Sequence, residues 1–204
     1  MIVRPRLVVA LAVTGLALAG CASSGTPAAS GSQAPASVSG AAQKYAGVNL
    51  ATPYRRPTFT LTDQGGQPFD FKAVTAGVPT LLYFGYTRCP DVCPTTMSDL
   101  AQALNQTSAT ARATTRVAFI TTDPAHDTPP VLKSWVGHYN PAFVGLTADT
   151  AATRAAAVAM GIPILDPQTH GTATMAFRNG TSSVVWLSGT PVSDYAHDLA
   201  LLAK

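Results

Sequence analysis

With 204 residues, 47% of them hydrophobic, the chain is long enough for one packed domain with tails. Thirteen basic side chains face ten acidic ones, and two of the basic ones, Arg4 and Arg6, sit in the first six residues. The remainder is close to neutral and carries no basic patch with interleaved aromatics, which excludes nucleic acid as a partner. Three cysteines, Cys21, Cys89 and Cys93, are too unevenly placed for a disulfide framework.

Residues 1–20 read as an export signal. Arg4 and Arg6 form its basic start, and Leu7 to Ala19 is an uncharged apolar run, shorter than the ~20 residues a transmembrane helix needs. The run ends in Leu18-Ala19-Gly20-Cys21, which resembles a bacterial lipobox. That resemblance implies cleavage before Cys21 and a lipid on its sulfur; the plainer alternative is an ordinary signal peptide. Residues 22–43 hold no charge and are dominated by Ala, Ser, Gly and Pro, too little apolar surface to offset the entropy of ordering. A flexible tether over 21–53, spanning ~30 Å root-mean-square, is expected ahead of a folded domain over 54–204.

In that domain Thr58 to Thr62 alternates as a strand, Asp63-Gln64-Gly65-Gly66 is turn material, and Gln67 to Phe71 returns as a second strand, predicting an N-terminal β-hairpin. Thr80 to Phe84 is a continuous apolar run suited to a central strand buried on both faces. A helix is expected from Pro94 to Leu104, then a strand over Arg116 to Thr122. Thr128-Pro129 opens a helix running to Tyr139. A short strand, Phe143 to Leu146, precedes a helix from Thr150 to Met160 that Gly161 stops. Thr172 to Phe177 and Ser183 to Leu187 flank Asn179-Gly180, a hairpin signal, and Thr190-Pro191 begins a last helix. The alternation predicts an α/β fold with a central sheet flanked by helices, and it places the cysteines where a buried strand passes into a helix. The order resembles the thioredoxin fold with an extra N-terminal β-hairpin.

Chemistry concentrates in Tyr83-Phe84-Gly85-Tyr86-Thr87-Arg88-Cys89-Pro90-Asp91-Val92-Cys93-Pro94. Pro94 tolerates only the start of a helix, so Cys93 should fall at or beside the N-cap with Cys89 in the preceding turn. N–H groups and the helix dipole favour thiolate there, and thiolate is both nucleophile and metal ligand. Three intervening residues allow wider sulfur separation than a two-residue spacing. A bridging metal, with bonds of ~2.3 Å to each sulfur, suits that loop better than a disulfide of ~2.05 Å, although either can form.

The same stretch resembles the Sco/SenC family, as do Thr122-Asp123-Pro124 with Asp127-Thr128-Pro129, and Phe143-Val144-Gly145-Leu146-Thr147. The resemblance covers about residues 55–190. It implies a thioredoxin-like protein that binds copper, Cu(I) or Cu(II), through Cys89, Cys93 and a late histidine, here His170 in Gln168-Thr169-His170-Gly171-Thr172. It implies assembly of the copper site of cytochrome c oxidase, with the copper-bearing subunit of that enzyme as partner and other copper or thiol carriers beside it. With the lipid anchor, it implies residence on the extracytoplasmic face of a bacterial membrane. Many family members place Asp before the histidine; this chain has Thr169, and Asp166 is the nearest acid. Asp91 either orients the loop or tunes the thiolates, or merely caps the helix. Asp123 either supports the metal ligands or simply starts an Asp-Pro turn. His126, His138 and His197 lack ligand spacing and read as surface residues, and Tyr83 and Phe84 as core.

Two other functions compete. A thiol–disulfide oxidoreductase would cycle Cys89 and Cys93 in an oxidising compartment and reduce the cysteines of a partner's copper site. Thioredoxins usually place a cis-proline near the position of Thr169-His170, where this chain has none. A peroxiredoxin-type reading of Cys93-Pro94-Thr95 lacks the threonine that those enzymes carry three residues earlier, where Pro90 stands.

Overall fold

The computed structural model describes residues 43–162 and 172–204. Among these residues the elements run β1 (Val48–Arg55), β2 (Thr60–Asp63), β3 (Pro68–Asp70), α1 (Phe71–Val74), β4 (Thr80–Gly85), α2 (Val92–Asn105), α3 (Ala109–Thr114), β5 (Arg116–Thr121), α4 (Pro129–Tyr139), β6 (Val144–Thr147), α5 (Thr150–Val158), β7 (Ala173–Arg178), β8 (Thr181–Leu187) and α6 (Val192–Leu202). The eight strands form one sheet in the order β1-β8-β7-β4-β5-β6-β2-β3. β4, β5 and β6 are parallel neighbours, whereas β7 runs antiparallel to β4. β2 and β3 pair antiparallel across the Asp63–Gln67 turn, and β2 also pairs with β6.

The uninterrupted apolar sequence of β4 follows from its central place. Leu81 and Tyr83 enter one core with Met97, Leu100, Phe119, Trp186 and Leu199, where α2, α4 and α6 cover the sheet. Leu82 and Phe84 enter a second core on the other face with Phe71, Ile120, Leu146, Met160 and Phe177. Burial of apolar surface in both layers drives folding, at ~25 cal/mol per Å². Gly85, at the end of β4, is set by contact: a Cβ there would lie 2.9 Å from Cys93 Sγ, from Phe119 and from Tyr83. The β7–β8 turn has Asn179 at φ 50° and Gly180 at φ 83°, the left-handed pair that a two-residue hairpin requires.

The folded part begins before the expected start at Tyr54. Tyr45 is buried in the core and β1 pairs antiparallel with β8. The cause is a tertiary latch. Asp198 of α6, wholly buried, accepts hydrogen bonds from the backbone N–H of Ala46 at 2.7 Å and of Gly47 at 2.9 Å, and from Trp186 Nε1 at 2.8 Å. A side chain on Gly47 would meet Trp186 Cδ1 at 2.4 Å, so the chain passes there only as glycine. α1 and α3 were not expected either; both are short, and Asp70 and Ser108 cap them through their side chains.

Candidate metal centre

The cysteines stand where β4 hands over to α2, at the carboxyl end of the parallel strands. α2 starts at Val92, two residues ahead of the expected Pro94, so Cys93 lies within its first turn and Pro94 after it. Proline is tolerated there because the first-turn N–H groups have no helical partner in any case. Asp91 occupies the N-cap position, but its exposed side chain makes no capping hydrogen bond. A sulfur does that work: Cys89 Sγ accepts from the backbone N–H of Cys93 at 3.3 Å.

The two thiols therefore have different environments. Neither forms a disulfide among the described residues; Cys89 is half-buried and Cys93 is buried. Burial pushes the Cys89 thiol up, but hydrogen bonds from the Cys93 side chain and from the N–H groups of Cys93, Asp91 and Val92 outweigh it and leave the pKa below its ordinary value. Burial first, and the neighbouring Cys89 sulfur second, push Cys93 up to about 12, against partial relief from Tyr86 and Tyr83. Tyr83 is fully buried core, as expected, and its hydroxyl also reaches Cys93 Sγ at 3.6 Å. Trp135 and Tyr139, with ring centroids 5.1 Å apart, close the apolar wall on this side.

A buried carboxylate that the sequence reading passed over as part of a motif holds the loop in place. Asp127 accepts from Thr87 N–H at 2.9 Å, from Thr87 Oγ1 at 2.5 Å and from Thr121 Oγ1 at 2.5 Å, joining the cysteine loop to the end of β5. Asp123 sits beside it, 6% exposed. Its carbonyl receives the N–H of His126 and of Asp127, so it does start a turn. Its carboxylate bonds Arg88 at 2.7 Å and lies 2.9 Å from His126 Nδ1. Burial raises the Asp123 pKa, while His126 and Arg88 outweigh that and hold it below the usual carboxylate value. His126, expected on the surface or on a helix face, is 55% exposed and pairs through its ring with the acid that also anchors Arg88, the neighbour of Cys89. The signal for Asp127 was present in retrospect: an acid between a buried strand and a helix start, with threonines at 87 and 121 in reach.

His170, with Thr169 and Asp166, lies outside the described residues, as does Cys21. Among the described residues the site brings together Cys89 and Cys93, with Asp123 connected through Arg88 and no third Cys, His, Asp or Glu grouped with the two sulfurs. Two adjacent soft sulfurs, one stabilised as thiolate, fit a thiophilic ion or a reversible disulfide.

The family model described as SCO1/SenC matches residues 49–184. A SCO2-like protein of Rickettsia felis is 40% identical over 92 residues, which cover 44% of this chain and 42% of that protein. The chain spans about half the length of the curated relatives it matches. The structure of Bradyrhizobium japonicum ScoI with copper bound superposes with a TM-score of 0.63 at 27% identity, covering 72% of this chain and 99% of that one. BsSco, described as a member of the Sco family of cytochrome c oxidase assembly proteins and as carrying a disulfide switch, has a TM-score of 0.62 over 76% of this chain and 97% of its own. At 20% identity that likeness bears on the fold. The matched span takes in the cysteine loop, Asp123 and Asp127 together with β4 to β7 and the first part of β8, and the chain belongs to the SCO1/SenC family.

Proposed function

We propose that the protein carries copper on Cys89 and Cys93 for assembly of the copper site of a cytochrome c oxidase. The observation that carries this reading is the pair of adjacent thiols at the start of α2, with Cys89 Sγ receiving the Cys93 N–H. That N–H and its neighbours hold charge on Cys89, and burial keeps Cys93 a protonated thiol whose proton a soft cation would displace. Two thiolates with imidazole from His170 would supply a three-donor set suited to Cu(I), and an added oxygen ligand would let it retain Cu(II). Three protein donors leave a coordination position through which the ion can pass to a receiving protein. The copper-bound ScoI relative and the family's link to oxidase assembly support the choice of metal and partner. Lipidation at Cys21, with the domain tethered at the extracytoplasmic membrane face, is part of the same proposal and rests on the lipobox-like Leu18-Ala19-Gly20-Cys21.

The test is copper stoichiometry on the full chain and on Cys89→Ala, Cys93→Ala and His170→Ala proteins. One equivalent of Cu(I) should be lost with either cysteine. His170→Ala should weaken Cu(II) far more than Cu(I). A single-cysteine protein that keeps Cu(I) at wild-type affinity would remove the site. For the anchor, Cys21→Ala should abolish lipid labelling.

The unequal acidity of the two thiols favours a second reading, in which the more acidic Cys89 opens a disulfide of the partner's copper site and Cys93 resolves the mixed disulfide. Under that reading His170→Ala leaves both thiol exchange and oxidase activity intact. Under copper delivery, oxidase activity falls with the Cu(II) affinity.

A further inference from the structure

At the opposite end of β4 from the cysteines, six strand residues or ~20 Å away, a cavity of about 610 Å³ is lined by Arg55, Arg56, Lys72 and the backbone of Gly77 and Gly180. No acidic residue among the described residues lines it. Arg56 is 8% exposed. Its guanidinium is held by neutral acceptors, the carbonyl and hydroxyl of Thr75 and the Val78 carbonyl at 3.3 Å, and its buried Nε has no partner among the described residues. Arg178 stands alongside, with a second unpartnered buried Nε and its terminal nitrogen on the Gly77 carbonyl at 2.8 Å. None of these four cations is ion-paired with a carboxylate among the described residues. Burial, and then the charge of Arg178, depress the Arg56 pKa, which is what a cation without a counterion undergoes.

A buried, crowded and unneutralised cation is costly, and folding accepts it when a ligand supplies the missing charge. We infer that this cavity is a binding site for a phosphate group. Guanidinium forks match tetrahedral oxyanions, three lining cations with the charge of Arg178 behind them exceed what a single carboxylate would call for, and glycines at the rim allow an oxyanion to approach the backbone. Gly77 and Gly180 both have positive φ with open space where a Cβ would stand, so the rim is kept bare. The phosphate could come from a free anion or from the headgroup of an acidic lipid, which present the same chemistry.

The full-length protein is titrated with inorganic phosphate, with pyrophosphate, and with dihexanoyl phosphatidylglycerol below its micelle concentration. Sodium chloride of matched ionic strength and sodium acetate serve as controls. The readouts are the Nε–H resonances of Arg56 and Arg178 and the melting temperature. A saturable shift of the Arg56 Nε–H and a rise in melting temperature are expected with a phosphate ligand and with neither control. Saturation at lower concentration by the inorganic anions assigns a soluble ligand; saturation by the lipid first assigns a membrane headgroup. Arg56→Gln can fail to fold, so the deciding variant is the exposed pair Arg55→Gln with Lys72→Gln, expected to weaken binding at least tenfold while Cys89 and Cys93 keep their reactivity. Absence of a saturable shift with all three phosphates, an equal shift with acetate, or wild-type affinity in the double variant overturns the proposal.

Discussion

At the carboxyl end of β4 buried charge is matched. Asp127 has three hydrogen-bond donors, and Asp123 has Arg88 and His126. At the amino end Arg56 bonds the Val78 carbonyl and Arg178 the Gly77 carbonyl, with Arg55 and Lys72 lining the cavity and no acid among the described residues there. The contrast separates two ways of building a polar region. Matched groups fix geometry, which a pair of metal-ligating sulfurs requires, and they ask nothing of the solvent. Unmatched groups leave a field that a ligand can satisfy.

The largest effect should come from unmatching the cysteine end. Asp127→Ala takes the acceptor from the N–H and hydroxyl of half-buried Thr87 and from the hydroxyl of buried Thr121, and should cost about 3 kcal/mol of unfolding free energy, read by urea denaturation. A loss below about 1 kcal/mol would mean that water replaces the carboxylate and that the match is not structural.

Next, Gly85→Ala drives a methyl group into Cys93 Sγ, Phe119 and Tyr83. A destabilisation of about 1–3 kcal/mol is expected, with Cys93 displaced and Cu(I) affinity lowered in the same protein. Unchanged copper affinity would uncouple the end of β4 from the sulfur position.

A smaller effect concerns pH. The folded pKa of Cys93 is raised, so its contribution to stability is complete below the unfolded thiol value of about 8.5 and is lost as pH rises toward the folded value. Cys89 has the opposite sign: its contribution is present above the unfolded value and is lost as pH falls through the lowered folded one. Reduced, metal-free protein should therefore soften above about pH 9. Iodoacetamide should label Cys89 at a pH where Cys93 is still inert, as mass spectrometry of the peptides can show. Labelling in the reverse order would contradict the sulfur environments described above.

The smallest effect is at the surface of the matched cluster. Arg88 is 55% exposed at its side chain, so Arg88→Gln should cost less than about 1 kcal/mol despite its 2.7 Å contact with Asp123. A cost well above that would show that Arg88 positions the cysteine loop and is more than a solvated partner of the acid.

Much of the fold could be read along the chain because its signals are local. The apolar run of β4, the Thr128-Pro129 start of α4, the Asn179-Gly180 turn and the Cys-x-x-x-Cys pair ahead of a helix each depend on neighbours a few residues away. β1 escaped because Val48 to Arg55 contains a proline, lacks clean alternation and pairs through an irregular register with a strand more than 120 residues later. Its order depends on Asp198, which in sequence is one more polar residue of an amphipathic helix.

The same division holds for the sites. Two thiols beside a helix start at the end of a buried strand could be read along the chain, because strand period, proline and cysteine spacing are properties of short segments. Packing settled that Cys89 Sγ takes the place of a capping side chain, that Asp127 ties Thr87 to Thr121, and that Arg56 and Arg178 share one end of the sheet with no acid among the described residues there. Those outcomes depend on burial and on partners brought together from separate elements. A charge has no fixed energy until the fold decides how much water it keeps and what stands beside it.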